Sequence, residues 1–316
     1  MADALTYAIA LTTRFRGIDV REGMLLRGDA GWGEFSPFLE YDDPTAAPWL
    51  AAALEAAEVG WPAPLRTQIP VNVTVPACDP ERARTIVTGS GGCRTAKVKV
   101  AEPGQDAAQD EARLEAVRDA LGADGLIRID ANGGWDVDTA IARIPILDRA
   151  AGGLEYVEQP SPTVEDLAAV RRRVAVPIAA DESIRRAEDP YRVRDLDAAD
   201  IAVLKVQPLG GVRACLRIAE DIGLPVVVSS ALETSVGIAA GVALAAALPS
   251  LAHACGLATV QLLAADVVDL PLLPVDGMLP VTRPAVTRPM SAEAAPERQA
   301  FWAERLRRVR SLPTPG

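Results

Sequence analysis

The feature that most limits what this 316-residue chain can fold into is a beat. From residue 71 onward, short runs rich in β-branched residues begin at 71, 96, 126, 154, 177, 201, 225 and 256 (VNVTV, AKVKV, LIRID, LEYVE, PIAAD, IAVLKV, PVVVSS, GLATVQL). The steps between them run from 23 to 31 residues. Helical patterns fill the intervals, as at 105–121 and 164–174, with Gly or Pro near their ends. Strands alternating with helices at this period build βαβ units on a parallel sheet. Eight such units predict an α/β fold, a (β/α)8-type (modified TIM) barrel. A doubly wound sheet is the structural competitor, but the chain lacks a G-x-G-x-x-G after its first strand.

Residues 1–70 do not follow the beat. They hold strand-like pieces at 7–11, 23–27 and 31–35, then a helix-like stretch at 48–59, the pattern of a small α+β unit. The Pro-rich tail ends in a helical stretch at 294–309 and is too short to stand alone. The predicted organisation is an α+β capping domain over 1–70, a catalytic barrel over 71–266, and a C-terminal segment, 267–316, that packs back on the cap.

Charge and rare residues narrow the function. A formal net charge of −11 argues against nucleic-acid binding, which needs clustered Lys and Arg. The first residues lack a basic segment and a small-residue cleavage site. The stretch 234–265 carries no formal charge but is broken by Pro249, Ser250 and His253, so it predicts a buried helix and strand and not a membrane span. Four cysteines (Cys78, Cys93, Cys215, Cys255) without a C-x-x-C read as buried free thiols of a reducing compartment. The expectation is a soluble cytoplasmic protein, monomer or homo-oligomer, whose partner is a small-molecule carboxylate, with no nucleic acid and no membrane. The single histidine, His253, excludes His-rich metal sites and reads as a core or helix-end residue.

Only three of the 32 Lys and Arg residues are lysines: Lys97, Lys99 and Lys205. Where arginine fills nearly every cationic role, a lysine marks a place that needs an amine able to lose its proton. All three fall in barrel strands. Lys97 and Lys99 are two apart and share a face, with Val98 and Val100 on the other, so the lysine face points into the barrel. Function in such barrels gathers at the carboxyl ends of the strands. There stand Asp130 (RIDAN), Glu158 (EQP) and Asp181 (ADES), from three consecutive strands between those of Lys99 and Lys205. Strands two and six of eight lie across the axis, so Lys99 and Lys205 face each other. Three converging carboxylates repel one another unless a cation joins them. An all-oxygen set suits Mg²⁺, or Mn²⁺ in its place, and not Zn²⁺. A lysine base beside such a metal can take a proton α to a carboxylate, a pairing already known from the enolase superfamily. Gly210-Gly211, after Lys205, either presents amides to an anion or makes a tight turn.

In these motifs the chain resembles the enolase superfamily, in its muconate-cycloisomerase-like subgroup. AKVKV, RIDANGGW, EQP, ADES and LKVQPLGG run in that family's order and spacing over most of 71–266, and GWGEFSPF (31–38) resembles its capping domain. Within the subgroup, the short chain, GWGE-x-x-P and SSALETSVG (229–237) are most similar to the o-succinylbenzoate synthases of menaquinone biosynthesis. The resemblance implies that Asp130, Glu158 and Asp181 bind Mg²⁺. It implies that Lys99 removes the proton α to the carboxylate of 2-succinyl-6-hydroxy-2,4-cyclohexadiene-1-carboxylate and returns it to the departing hydroxyl, a syn dehydration to 2-succinylbenzoate. Lys205 would stabilise the enediolate, Lys97 would bind the carboxylate, Asn132 would support the metal shell, and Ser229 and Ser230 would meet the succinyl tail. The family's lid loop would fall at 14–20, a short stretch here. The eighth run lacks the Asp-x-Asp of dipeptide epimerases. Alternatives on the same scaffold are an N-acylamino acid racemase or a cycloisomerase. A metal-free Schiff-base aldolase barrel is the competitor from another class, followed by a non-catalytic binding barrel.

Overall fold

A computed structural model describes residues 4–184, 189–286 and 290–312. The predicted segments 1–70 and 267–316 therefore include a few residues, 1–3, 287–289 and 313–316, that lie outside the described residues. Three antiparallel strands open the chain: β1 (Ala4–Phe15), β2 (Ile18–Gly28) and β3 (Gly31–Phe35), followed by α1 (Asp43–Leu54). Next come β4 (Gln68–Pro70), β5 (Val73–Val75), α2 (Pro80–Thr88), β6 (Thr95–Lys99), α3 (Ala107–Leu121), β7 (Leu126–Asp130), α4 (Val137–Ala151) and β8 (Val157–Glu158). Then follow α5 (Val164–Arg171), β9 (Ile178–Ala180), α6 (Asp189–Asp195), β10 (Ile201–Lys205), α7 (Val212–Ile222), β11 (Val226–Ser229) and α8 (Ser235–Ala247). β12 (Met278–Pro280) pairs with β4, and α9 (Pro296–Arg310) ends the described chain.

Strands β5 to β11 form one parallel sheet in sequence order. Several helices start on a side chain that accepts from the first turn, among them Asp79, Asp106, Asp136, Thr163 and Thr234, which satisfies amides the helix itself cannot. The outward face of the sheet is apolar and packs on the helices through Val98, Ile127, Ile129, Leu204 and Val228. Inward positions are mixed. Tyr156, Ala179, Ile201, Val203 and Val227 make a small apolar cluster of their own, while Lys97, Arg128, Asp130, Glu158 and Lys205 are buried and charged. Each fully buried Val, Ile or Leu contributes roughly 1.5–3 kcal/mol, which offsets the desolvation of that charged interior.

The eighth run corrects the prediction. The residues at 256–262 do not form a strand. Instead Cys255 bridges in parallel to Val71 and Gly256 to Ser229, so two residues close the barrel between its edges. Thr259–Leu262 turn into a short 3-10 helix. Two contacts explain this. A Cβ on Gly256 would lie 2.6 Å from Ser229 Oγ, so any larger residue would have to displace the serine side chain. Beyond it the chain is drawn to the cap, where Leu263 bridges Leu11 and the Ala264 amide donates to Ala10 O at 2.9 Å.

The first two strands are longer than predicted. Residues 12–15 and 18–22 extend the β1–β2 hairpin to a turn at Arg16 and Gly17, although β1 is irregular between Ala10 and Phe15. Its polar outer half hides the alternation. Helix α9 packs on α1, with Trp302 edge-on to Phe35 at 6.1 Å. Arg305, buried, donates to the carbonyls of Phe38 at 3.1 Å and Tyr41 at 2.6 Å, tying the tail to the cap. Helix α8, from the charge-free stretch, is buried along nearly all its length. Among the described residues no helix is long and apolar enough to cross a membrane.

Candidate active site

Lys97, Lys99, Asp130, Glu158, Asp181, Lys205 and Ser229 stand at the carboxyl end of the parallel sheet, with Asn132 and Ser230 in the turns that follow it. A cavity of about 390 Å³ opens there, lined by Lys97, Lys99, Asn132, Lys205, Ser229 and Ser230. Lys99 on β6 and Lys205 on β10 are separated by β7, β8 and β9 and reach the same cavity. The three carboxylates, each about 1% exposed, sit behind the lysines.

The charges interlock. Lys99 Nζ lies 2.6 Å from Asp130 Oδ2 and 2.6 Å from Asn132 Oδ1. Lys97 Nζ lies 2.9 Å from Glu158 Oε1 and 3.2 Å from Asp130 Oδ2. Across the site Lys205 Nζ donates to Asp181 Oδ2 at 2.5 Å. Burial works against ionising Asp130, but the charges of Lys99 and Lys97 outweigh it and hold that carboxyl far below the usual range. Burial likewise opposes the charge of Lys97, and Glu158 and Asp130 overcome it, so the ammonium persists well above its ordinary range. Glu158 is less compensated than Asp130. Burial, then the neighbouring charge of Asp130, pushes it up to about 7.

The backbone holds this arrangement from behind. Gln159, fully buried, accepts from the Asp181 amide at 2.9 Å and donates to Ser183 Oγ at 2.8 Å, linking the ends of β8 and β9. Asn132 takes a left-handed backbone (φ 46°) and its amide nitrogen donates to Asp130 Oδ1 at 3.0 Å. Its side chain donates to Glu182 Oε1 at 3.2 Å, which aims its carbonyl oxygen at Lys99.

A divalent cation is tested by these donors. The set is all oxygen, as a hard ion prefers. The buried Oε2 of Glu158 has no hydrogen-bond partner among the described residues, an unmet demand for a positive group. With Lys99 neutral, as a base must be, the cluster is one positive charge short. As the side chains stand, the described residues include no group of three His, Cys, Asp or Glu gathered around one point, and each carboxylate is paired with a lysine ammonium. The chemistry of the donors fits Mg²⁺.

The stretch expected to hold the lid loop, 14–20, and residues given no role in the sequence reading complete the cavity. Phe15 at the tip of the β1–β2 hairpin has its ring centred 5.6 Å from Lys99 Nζ, and Arg14, Arg16 and Gly17 stand beside it. Phe38, inside the GWGEFSPF segment, adds an apolar wall, and Glu182 follows Asp181. Thr259 lines the wall and meets Ser230 Oγ at 2.7 Å. Gly210 and Gly211 serve a turn, since the α7 amide of Val212 donates to Glu55 Oε2 at 2.5 Å. His253 bonds Glu155 at 2.7 Å at the other end of the barrel, beside Tyr156. Cys93, Cys215 and Cys255 are buried and Cys78 is partly buried, all free thiols.

Two family descriptions match the chain, Enolase N-terminal domain-like over residues 6–57 and Enolase C-terminal domain-like over 81–285. Over 305 residues the chain is 67% identical to the o-succinylbenzoate synthase of Thermobifida fusca, covering 96% of this chain and 95% of that one. The chain belongs to the o-succinylbenzoate synthase family of the enolase superfamily. Its likeness to the o-succinylbenzoate synthase of Mycolicibacterium smegmatis is 56% over 302 residues, covering 95% and 92% of the two chains. Solved structures with the same architecture include the L-Ala-D/L-Glu epimerase of Bacillus subtilis (TM-score 0.77, 23% identity, 93% and 98% of the two chains). Another is the muconate lactonizing enzyme of Pseudomonas fluorescens (TM-score 0.76, 23% identity, 95% and 98%). At such identities these structures share the fold of the o-succinylbenzoate synthase family and say nothing of its chemistry.

Proposed function

We infer that the chain is an o-succinylbenzoate synthase, a hydro-lyase of menaquinone biosynthesis. The observation that carries this reading is identity of 52–67% to synthases of that name over nearly the full chain, together with two lysines from opposite strands reaching one carboxylate-backed cavity. The substrate is 2-succinyl-6-hydroxy-2,4-cyclohexadiene-1-carboxylate. The barrel, 71–266, supplies the chemistry, and 1–70 with 267–316 covers it.

Asp130, Glu158 and Asp181 would hold Mg²⁺, which when bound supplies fixed positive charge to the substrate carboxylate. Lys99, neutral, takes the proton from the carbon bearing that carboxylate, and the C–H electrons enter the enediolate. Asp130 and Asn132, each 2.6 Å from its Nζ, fix the amine's direction. Lys205 meets the opposite face with its ammonium, positioned by Asp181, and offsets the developing charge. The enediolate collapses, the C–O bond at the neighbouring ring carbon breaks, and Lys99 returns its proton to the leaving hydroxyl. Water departs from the face the base attacked, and the ring becomes aromatic. Because aromatisation drives the step, the chain's work is to place the base and hold the enediolate. Lys97 balances Glu158 and Asp130 and presents its charge at the cavity floor, and Ser229 and Ser230 meet the succinyl tail.

The test is the fall in diene absorbance with Mg²⁺, after chelation, and after Mg²⁺ is restored, run beside racemisation of N-succinylamino acids. Metal-dependent dehydration faster than racemisation supports the reading. Racemisation without dehydration in folded, Mg²⁺-supplied protein contradicts it.

A further inference from the structure

The wall of the cavity at 229–232 is built on a residue in an unfavourable conformation. Leu232, buried against the cavity, has φ +65°, which costs a branched side chain on the order of 1–2 kcal/mol. A loop held this way needs an outside support, and the cap supplies it. Arg21 on β2 is 2% exposed and donates from Nε to Leu232 O at 2.8 Å. Its Nη2 donates to Ser36 Oγ at 2.9 Å, to the Ser36 carbonyl, and to Ala231 O at 3.5 Å. The guanidinium also stacks 4.6 Å from the Phe38 ring, another cavity wall.

Glu34 on β3 completes the support from the other side of the loop. Its Oε2 accepts from the amides of Thr234 at 3.1 Å and Gly237 at 3.0 Å, and from the Thr234 hydroxyl. The carboxylate thereby occupies the amino-terminal end of α8, where negative charge is favoured. Its Oε1 accepts from Tyr7 at 2.6 Å and Ser36 at 2.8 Å, so every one of its partners is buried. A Cβ at Gly237 would lie 2.5 Å from Glu233 Cβ and 2.9 Å from Glu34 Oε2, so a side chain there would displace both acids. Between these two anchors, Glu233 folds back to accept from the Ala231 amide at 2.9 and 3.0 Å.

We propose that Arg21 and Glu34 are positioning residues of the cap that set the 229–232 wall, and that through it they determine how tightly the substrate's acyl side chain is held. The inference rests on the reading above, in which Ser229 and Ser230 meet that side chain. It assigns the cap a part in specificity that is separate from the hairpin tip over the lysines. Neither residue touches the reacting atoms, so their loss acts on binding of the tail and leaves the proton transfer in place.

The test compares Arg21→Lys and Glu34→Gln with the parent in three measurements: kcat and KM for the cyclohexadiene, thermal midpoint, and affinity for 2-succinylbenzoate against benzoate. In a folded variant KM is expected to rise about tenfold with kcat within about threefold, the split that marks lost uniform binding. Affinity for 2-succinylbenzoate is expected to fall by a similar factor, with benzoate unchanged. Equal weakening of both ligands, unchanged affinity for both, or failure of both variants to fold would overturn the inference, because the pair would then serve only the fold. Absence of diene turnover in the parent would instead sink the synthase reading, which keeps the two failures apart.

Discussion

Lys97 Nζ stands 2.9 Å from Glu158 Oε1, yet Glu158 remains less compensated than Asp130, since Lys97 is shared with Asp130 and Asp130 also has Lys99. Burial and the charges of Asp130 and Asp181 keep its carboxyl near 7. A bound divalent ion relieves that crowding.

Glu158→Gln is therefore expected to lower Mg²⁺ affinity by more than tenfold and abolish turnover, with a thermal midpoint equal to or above the parent's. Calorimetric titration with Mg²⁺ and a melting curve check both halves. Chelation of the parent should likewise stop turnover, and added Mg²⁺ should restore it.

Glu233 makes stability depend on pH. Burial, reinforced by the charge of Glu34 and opposed by Arg21, pushes its carboxyl from 4.5 up to about 7. The folded state then binds more protons than the unfolded state between those values. Its contribution is fully present at low pH and is lost as pH rises through about 7. Glu233→Gln removes this dependence. Denaturant unfolding from pH 5 to 8 should show the variant gaining on the parent as pH rises, by at most about 2–3 kcal/mol.

At the far end of the barrel Arg128, fully buried, is held by Glu155 at 2.6 Å, the Tyr156 hydroxyl at 2.8 Å and the Ala254 carbonyl at 2.9 Å. Arg128→Ala leaves Glu155, among the described residues, with His253 as its side-chain partner and loosens the segment that closes the barrel. The expected cost is roughly 3–5 kcal/mol in unfolding free energy, with turnover per folded molecule retained. Urea unfolding and an activity assay normalised to folded protein separate the two.

Gly256→Ala tests the closure itself. The new methyl would press on Ser229 Oγ at 2.6 Å, so stability should fall by roughly 1–3 kcal/mol and KM should rise. A melting curve and a KM measurement follow the two effects.

Much of this was legible in the sequence because parallel barrels repeat. Seven of the eight β-branched runs hold a strand of the sheet, and the lysines they carry reach one cavity, each paired with an acid from a strand end, because alternation fixes which side chains face inward. The run at 256–262 misled because its apolar residues pack as a turn, once Gly256 has met Ser229 and Leu263 has paired with the cap. The outer half of the β1–β2 hairpin was hidden for a related reason. Thr12, Thr13 and Arg14 present no apolar alternation, and the pairing of β1 with β2 is irregular between Ala10 and Phe15. The pairing of Arg21 and Glu34 with the loop before α8 spans about 200 residues of sequence, and no local pattern announces a contact at that separation.

The most direct test of the central claim is the rate of diene loss in Lys99→Ala and Lys205→Ala, each first shown to be folded and to bind Mg²⁺ and 2-succinylbenzoate. Turnover is expected to fall at least about 10³-fold in both, since one loses the base and the other the charge facing the enediolate. Turnover within about tenfold of the parent in either variant would contradict the role assigned to that lysine.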